Sequence, residues 1–134
     1  MRIYLLYIGK PRSREANLLA QDYAQRIERY CSFQMVQLKD ERGAAAFERA
    51  LKVVLDPAGP EMTSPELAAF LEKAQRDVAF FIGGADGVSD RFRGSADQLL
   101  SLSKMTLPHE LARVILAEQI YRAFAILRHH PYPR

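Results

Sequence analysis

Glu118 and Arg122 stand four residues apart in the run "PHELARVILAEQIYRAFAIL" (108–127), a carboxylate and a guanidinium that one helical turn would bring together. At 100° per residue, Leu111, Arg122, Ala125 and His129 all fall within about 40° of Glu118. Glu118, Arg122 and His129 therefore share one stripe. On an exposed helix such a pair stabilises by roughly a few tenths of a kcal/mol. Here the remaining faces carry Val114, Ile115, Leu116, Ile120, Tyr121, Phe124, Ile126 and Leu127. A helix apolar nearly all round is buried on more than one side, against its own sheet and a second subunit. A polar stripe in that setting costs desolvation unless it serves a site. His109 follows Pro108 at the start of the same helix, where free backbone N–H groups favour an anion or a ligand carbonyl oxygen.

A second stretch, "FFIGGADGVSD" (80–90), ends an apolar run in two glycines with a third close behind. Glycines after a buried strand let the backbone turn tightly or let a ligand approach closely. The segment is neither the dinucleotide fingerprint GxGxxG nor a P-loop, since no glycine precedes Lys-Ser or Lys-Thr. Ser89 and Ser101 lie in no GxSxG elbow. The three histidines, His109, His129 and His130, match no metal-ligand spacing, so no metal is expected. What remains is a ligand held largely by backbone groups with polar side chains converging beside it.

The elements that must position these residues alternate between strand and helix. "RIYLLYIG" (2–9), "FQMVQL" (33–38), "VVLD" (53–56), "VAFFIGG" (78–84) and "LLSLSKMT" (99–106) read as strands, the last running into a loop. Helices are predicted over 13–30 with Ser13 as cap, 43–52, 64–76 with a Ser cap and an early proline, a short one from Ser89, and 108–127. The pattern implies an α/β fold, a mainly parallel sheet with flanking helices. One junction is odd: "ERALKVVLD" passes from helix to strand without a turn residue. Either the helix is cut short or a loop is missing between Lys52 and Val53, and the second is the expectation.

Composition agrees with a single domain over 1–134. Hydrophobic residues make up 49% and charged ones 26%, as in an ordinary soluble domain rather than a disordered or membrane-embedded chain. No apolar stretch approaches the ~20 residues of a membrane span, and the N-terminus reads as a strand rather than a signal peptide. The lone Cys31 excludes an internal disulfide and suits the cytoplasm. A net charge of +3 tilts towards an anionic partner. Lys10, Arg12, Arg14, Arg91, Arg93, Arg128 and Arg134 fall where loops or the tail would surround the mouth of an α/β site.

Taken together, "LLYIGK", "VVLDPAGPEMTSPELA", "FFIGGADGVS", "LSLSKMTLPHELARVILAEQIYRAF" and "HHPYPR" resemble the bacterial 23S ribosomal RNA pseudouridine-N3 methyltransferases of the SPOUT class, over nearly the whole chain. The resemblance implies a C-terminal trefoil knot, a homodimer, and S-adenosyl-L-methionine as methyl donor. It also implies N3 of a pseudouridine in 23S rRNA as target, methylated on the assembled ribosome. Carried over by position, the cofactor would sit against Leu55, Gly83, Gly84, Ser103, Lys104, Met105, Thr106, Leu107 and Pro108. His109, Glu118, Arg122, Tyr132 and Arg134 would lie near the target nucleotide, with the tail reaching across the dimer. Arg122 or Arg134 would stabilise the developing anion, and His109 or Glu118 would take the proton. Three departures stand out: Ala85-Asp86 replaces Pro-Glu, Pro133 replaces a histidine in the tail, and the chain is shorter. The rival reading is a dimeric RNA- or ribosome-binding module without activity, which has little use for the glycine loop.

Overall fold

The computed structural model describes residues 1–132. Arg134 and the Pro133 departure fall outside them. Five strands, β1 (Arg2–Ile8), β2 (Ser32–Leu38), β3 (Leu51–Leu55), β4 (Val78–Ile82) and β5 (Gln98–Leu100), form one sheet in the order β2-β1-β4-β3-β5. Every pairing is parallel: Ile3 faces Val78 and Phe33, Leu51 faces Val78, and Val53 faces Gln98. The mainly parallel sheet with flanking helices is thus confirmed. All five strands end at the same edge, where ligands bind in such folds.

The sheet is covered on both sides, which explains its long apolar runs. Helices α1 (Arg14–Ile27), α2 (Ser64–Ala74) and α4 (His109–Leu127) bury one face, with Ile3, Leu5, Val53, Phe80, Leu71, Leu116 and Ile120 at its centre. The other face, with Leu6, Val54, Ala79 and Phe81, is closed by a 3-10 segment (Glu41–Phe47) and the short α3 (Asp90–Gly94). Strand β4 is buried along its whole length and alternates between them: Val78, Phe80 and Ile82 to one core, Ala79 and Phe81 to the other.

Several local expectations are corrected. The helix expected over 43–52 is only the 3-10 turn Glu41–Phe47, and β3 starts at Leu51. The Lys52–Val53 peptide lies inside that strand, paired with Ala79 and Phe80. The helix is therefore cut short, and strand β3 runs through the position at which a missing loop was expected. Strand β5 stops at Leu100, and the following residues to Pro108 are loop. Helix α2 is capped by Thr63 rather than Ser64, through a reciprocal box with Glu66: Glu66 N donates to Thr63 Oγ1 at 3.1 Å and Thr63 N to Glu66 Oε1 at 2.8 Å. His129 has left the helix with φ +54°, so it does not continue the Glu118–Arg122 stripe.

Candidate functional site

Three strand ends and one helix start converge on one cavity. The Asp56–Pro57 turn after β3, the loop Gly83–Val88 after β4, residues Leu102, Ser103 and Met105–Leu107 after β5, and the start of α4 surround a space of about 290 Å³. Leu55, Ile82, Leu102, Leu107 and Ala112 supply apolar walls. The rest comes from loop residues, among them three glycines, a lining that suits a flat aromatic group with hydrogen-bonding edges.

The glycine loop is shaped from within. Gly87 adopts φ +73° and its N–H donates to the Gly84 carbonyl at 3.0 Å, closing a tight turn. A Cβ on Gly83 would stand 2.7 Å from the Gly87 oxygen, whereas one on Gly84 would meet only Ile8 at 3.4 Å. The loop on the opposite wall is tied by Ser101 and Ser103: Ser101 Oγ donates to the Ser103 carbonyl at 3.0 Å, and Met105 N to Ser103 Oγ at 3.0 Å.

Asp56 and Arg93 form an ion pair at the cavity, with the carboxylate 4% exposed. Asp56 Oδ1 also accepts from Ala58 N at 3.0 Å, and Arg93 reaches Asp90 at 3.2 Å. Neither residue belongs to the expected set. An acid immediately after a parallel strand was the available signal for Asp56, and Arg93 had stood out only as one of several basic loop residues.

Of the expected cofactor positions, Leu55, Gly83, Gly84, Ser103, Met105, Thr106 and Leu107 line the cavity, while Lys104 and Pro108 do not. His109 lines it as well. Pro108 caps α4 without a side-chain acceptor, and Glu110 instead turns outward to accept Arg12 N and Ser13 N, both at 2.9 Å. The start of α4 is thereby fastened to the loop after β1. Those amides, Ser13's first and then Arg12's, hold the Glu110 carboxyl below the usual carboxylate range.

Glu118, Arg122 and Tyr132 form a separate cluster. Arg122 Nε and Nη2 lie 3.0 and 2.9 Å from Glu118 Oε2, and Gln119 donates to Glu118 Oε1 at 2.8 Å. The Tyr132 ring lies 4.5 Å beneath the Arg122 guanidinium and edge-on to Tyr121 at 4.8 Å. Burial, followed by its hydroxyl contact with Tyr23 at 3.4 Å, raises the Tyr132 pKa and keeps the phenol neutral. Tyr132 therefore packs on α1 and α4 of its own chain. Thirteen residues separate His109 from Arg122, about 20 Å along the helix, so one chain does not bring this cluster to its own cavity.

The same stripe of α4 has an apolar surround. Leu111, Ile115 and Ile126 are 49%, 37% and 39% exposed and flank the half-buried Glu118–Arg122 pair, with Leu18 and Leu19 of α1 also exposed. Among the described residues no cluster of His, Cys, Asp or Glu could hold a metal ion, and no helix is long and apolar enough to cross a membrane.

The class of protein is a methyltransferase: residues 1–133 match the family described as "Predicted SPOUT methyltransferase", and the chain belongs to that family. A relative from Solibacter usitatus called ribosomal RNA large subunit methyltransferase H is 48% identical over 139 positions, covering all of both chains. One of the same name from Citrifermentans bemidjiense is 42% identical over 151 positions, covering 98% of each. Both spans exceed the 134 residues here, so these relatives contain positions without a counterpart in this chain. Among solved structures, a probable methylase family protein from Haemophilus influenzae superposes with TM-score 0.62 at 14% identity, over 99% of this chain and 71% of that one. The SpoU methyltransferase AviRb from Streptomyces viridochromogenes, in complex with AdoMet, does so with TM-score 0.54 at 12% identity, over 89% and 56%. At such identities the likeness concerns the fold.

Proposed function

We propose that residues 1–134 form a single SPOUT domain that methylates N3 of a pseudouridine in 23S rRNA of the assembled ribosome in the cytoplasm, using S-adenosyl-L-methionine. The observation that carries the reading is the cavity of about 290 Å³ between the Gly83–Val88 and Leu102–Leu107 loops, in a chain whose full-length relatives are named as rRNA methyltransferases. When bound, the cofactor supplies a sulfonium methyl group, already a strong electrophile, for in-line transfer to a ring nitrogen.

This chain's residues then position and discharge. Leu55, Ile82, Leu102 and Leu107 offer apolar faces to an adenine ring, and the backbone of Gly83, Gly84, Ser103 and Met105–Leu107 offers donors and acceptors to its edges and to the sugar. Holding the two partners in line supplies most of the acceleration. N3 must lose its proton as it is methylated. His109, already at the cavity, is the acceptor we favour over Glu118, whose two oxygens are occupied by Arg122 and Gln119. Arg122 stabilises the negative charge that develops on the pyrimidine, and Arg134 is assigned to the same role.

Because Arg122 lies about 20 Å from its own cavity along α4, the reading requires a homodimer in which each copy presents Glu118, Arg122 and Tyr132 to the other's cofactor. The exposed Leu111, Ile115 and Ile126 around that pair support such a contact. Threading of the C-terminal part into a trefoil knot belongs to the same proposal, supported by the return of Leu102–Leu107 from the sheet edge to the Gly83–Val88 loop.

The deciding experiment is calorimetric titration of the dimer with S-adenosyl-L-methionine, followed by methyl transfer to ribosomes lacking the modification. Saturable binding and incorporation at a single pseudouridine are expected. A folded dimer that takes up no cofactor, with or without ribosomes, would reduce the protein to a ribosome-binding module.

A further inference from the structure

The glycine loop is fastened to the far face of the sheet by one side chain. Glu41 opens the 3-10 segment between β2 and β3. Its Oε2 accepts from Ser89 N at 2.7 Å and its Oε1 from the Ser89 hydroxyl at 2.6 Å. Ser89 Oγ in turn accepts from Phe92 N at 3.1 Å, capping α3. Through α3 the same tie reaches Arg93, which holds Asp56 at the cavity.

The loop needs such a tie. Ala85, Asp86 and Gly87 are exposed, and among the described residues no side-chain hydrogen bond reaches 83–88, whose turn is closed only by its own Gly87–Gly84 contact. Val88 packs against the second core, and Ser89, two residues past Gly87, is the first residue after Ile82 that another element's side chain holds by hydrogen bonds. The grip comes from a firm base: Asp40 Oδ1 accepts Arg42 N at 2.9 Å, Ala44 is buried in the second core, and Phe47 packs on Tyr4 with ring centroids 4.9 Å apart. The crossover is also short, residues 39–50 between the two strands. Its first residues, 39–42, lie beside Ile8 at the end of β1 and beside Gly84–Gly87.

We propose that Glu41 is a positioning residue: by holding Ser89 it sets the Gly83–Val88 wall in the geometry that accepts the cofactor. The inference rests on the reading of that cavity as the S-adenosyl-L-methionine site. Two hydrogen bonds to a half-exposed carboxylate represent about a tenfold effect on cofactor affinity.

The test compares wild type, Glu41→Ala and Glu41→Gln by calorimetry with S-adenosyl-L-methionine and by amide hydrogen exchange of residues 83–89. Glutamine can still accept from Ser89 N and donate to Ser89 Oγ, so it separates the tie from the charge. Glu41→Ala should weaken binding about tenfold and speed exchange at 84–88, while Glu41→Gln stays within about threefold of wild type. Unchanged affinity in Glu41→Ala would overturn the proposal, as would equal losses in both variants accompanied by equal losses in Tm. If wild type binds no cofactor, the cavity reading fails, and exchange still judges the tie. Faster exchange in Glu41→Ala alone supports it, and unchanged exchange overturns it.

Discussion

Gly83 and Gly87 touch across the turn they share: a Cβ on Gly83 would lie 2.7 Å from the Gly87 carbonyl oxygen and 3.0 Å from Val88 Cγ1. Backbone cannot swing aside as a side-chain tip can, so an alanine there must open the loop. Gly84, whose added Cβ would meet Ile8 at 3.4 Å, has ordinary room. Gly83→Ala should therefore weaken S-adenosyl-L-methionine roughly ten- to a hundredfold, in line with overpacking costs, and Gly84→Ala by about threefold or less. Equal titration curves for the two variants would show that the turn does not form the cofactor wall.

Arg122 is predicted to act on the transition state and not on cofactor capture. Its contacts are Glu118 and the Tyr132 ring, remote from its own cavity. Arg122→Met should lower methyl transfer to ribosomes by about a hundredfold or more, as loss of a charge-stabilising group does. The cofactor Kd should stay within about twofold of wild type. A matching rise in Kd would move Arg122 from chemistry to binding.

The exposed stripe of α4 makes a separate prediction. Ile115→Glu places a charge between Leu111 and the Glu118–Arg122 pair on a surface already 37% exposed, so the monomer fold should survive. A two-fold contact counts the change twice, and desolvating each carboxylate costs at least about 1–3 kcal/mol. Sedimentation should show monomers at concentrations where wild type is dimeric, with methyl transfer lost. A dimer that persists would place the interface elsewhere.

Helices and strands were legible wherever periodicity and punctuation agreed. Strand β4, apolar without interruption and closed by glycines, announced both its burial and the loop that lines the cavity. Thr63 was overlooked as cap because Ser64 and Pro65 looked sufficient, although Glu66 three residues on completed the box. The segment 43–52 misled because its alanines favour helix intrinsically, while Leu51 and Lys52 are drawn into β3 by pairing with Val78 and Ala79. Tertiary pairing overrides propensity there. The Asp56–Arg93 and Glu41–Ser89 contacts join residues 37 and 48 positions apart, and no local pattern encodes such partners. The separation of Glu118 and Arg122 from the cavity follows from helix rise alone, and could have been read from the sequence.

Cys31 should be a slow thiol. Burial, partly offset by the N-terminal ammonium and Arg128, pushes its pKa up to about 11. At pH 8 the thiolate fraction is then about a hundredfold below that of an ordinary thiol. Iodoacetamide labelling of the native protein should be slowed by at least that factor relative to the unfolded chain. Comparable rates would mean that the segment after α1 opens readily.

Acid should loosen the start of α4 through Glu110. Its carboxyl is held below the usual range by Ser13 N–H first and Arg12 N–H second. A depressed folded pKa means that the unfolded chain binds the proton first. The stabilisation is therefore complete above the ordinary value of about 4.3 and disappears as pH falls through the lowered folded value. Glu110→Gln offers those two amides one neutral oxygen and loses the dependence. Its Tm should lie below that of wild type at pH 7, and the gap should close as pH falls below about 4. The group is exposed, so the shift is small and best read as this convergence of two melting curves. Parallel curves down to pH 3 would mean that Glu110 is indifferent to its charge, and that α4 is anchored at its start by packing alone.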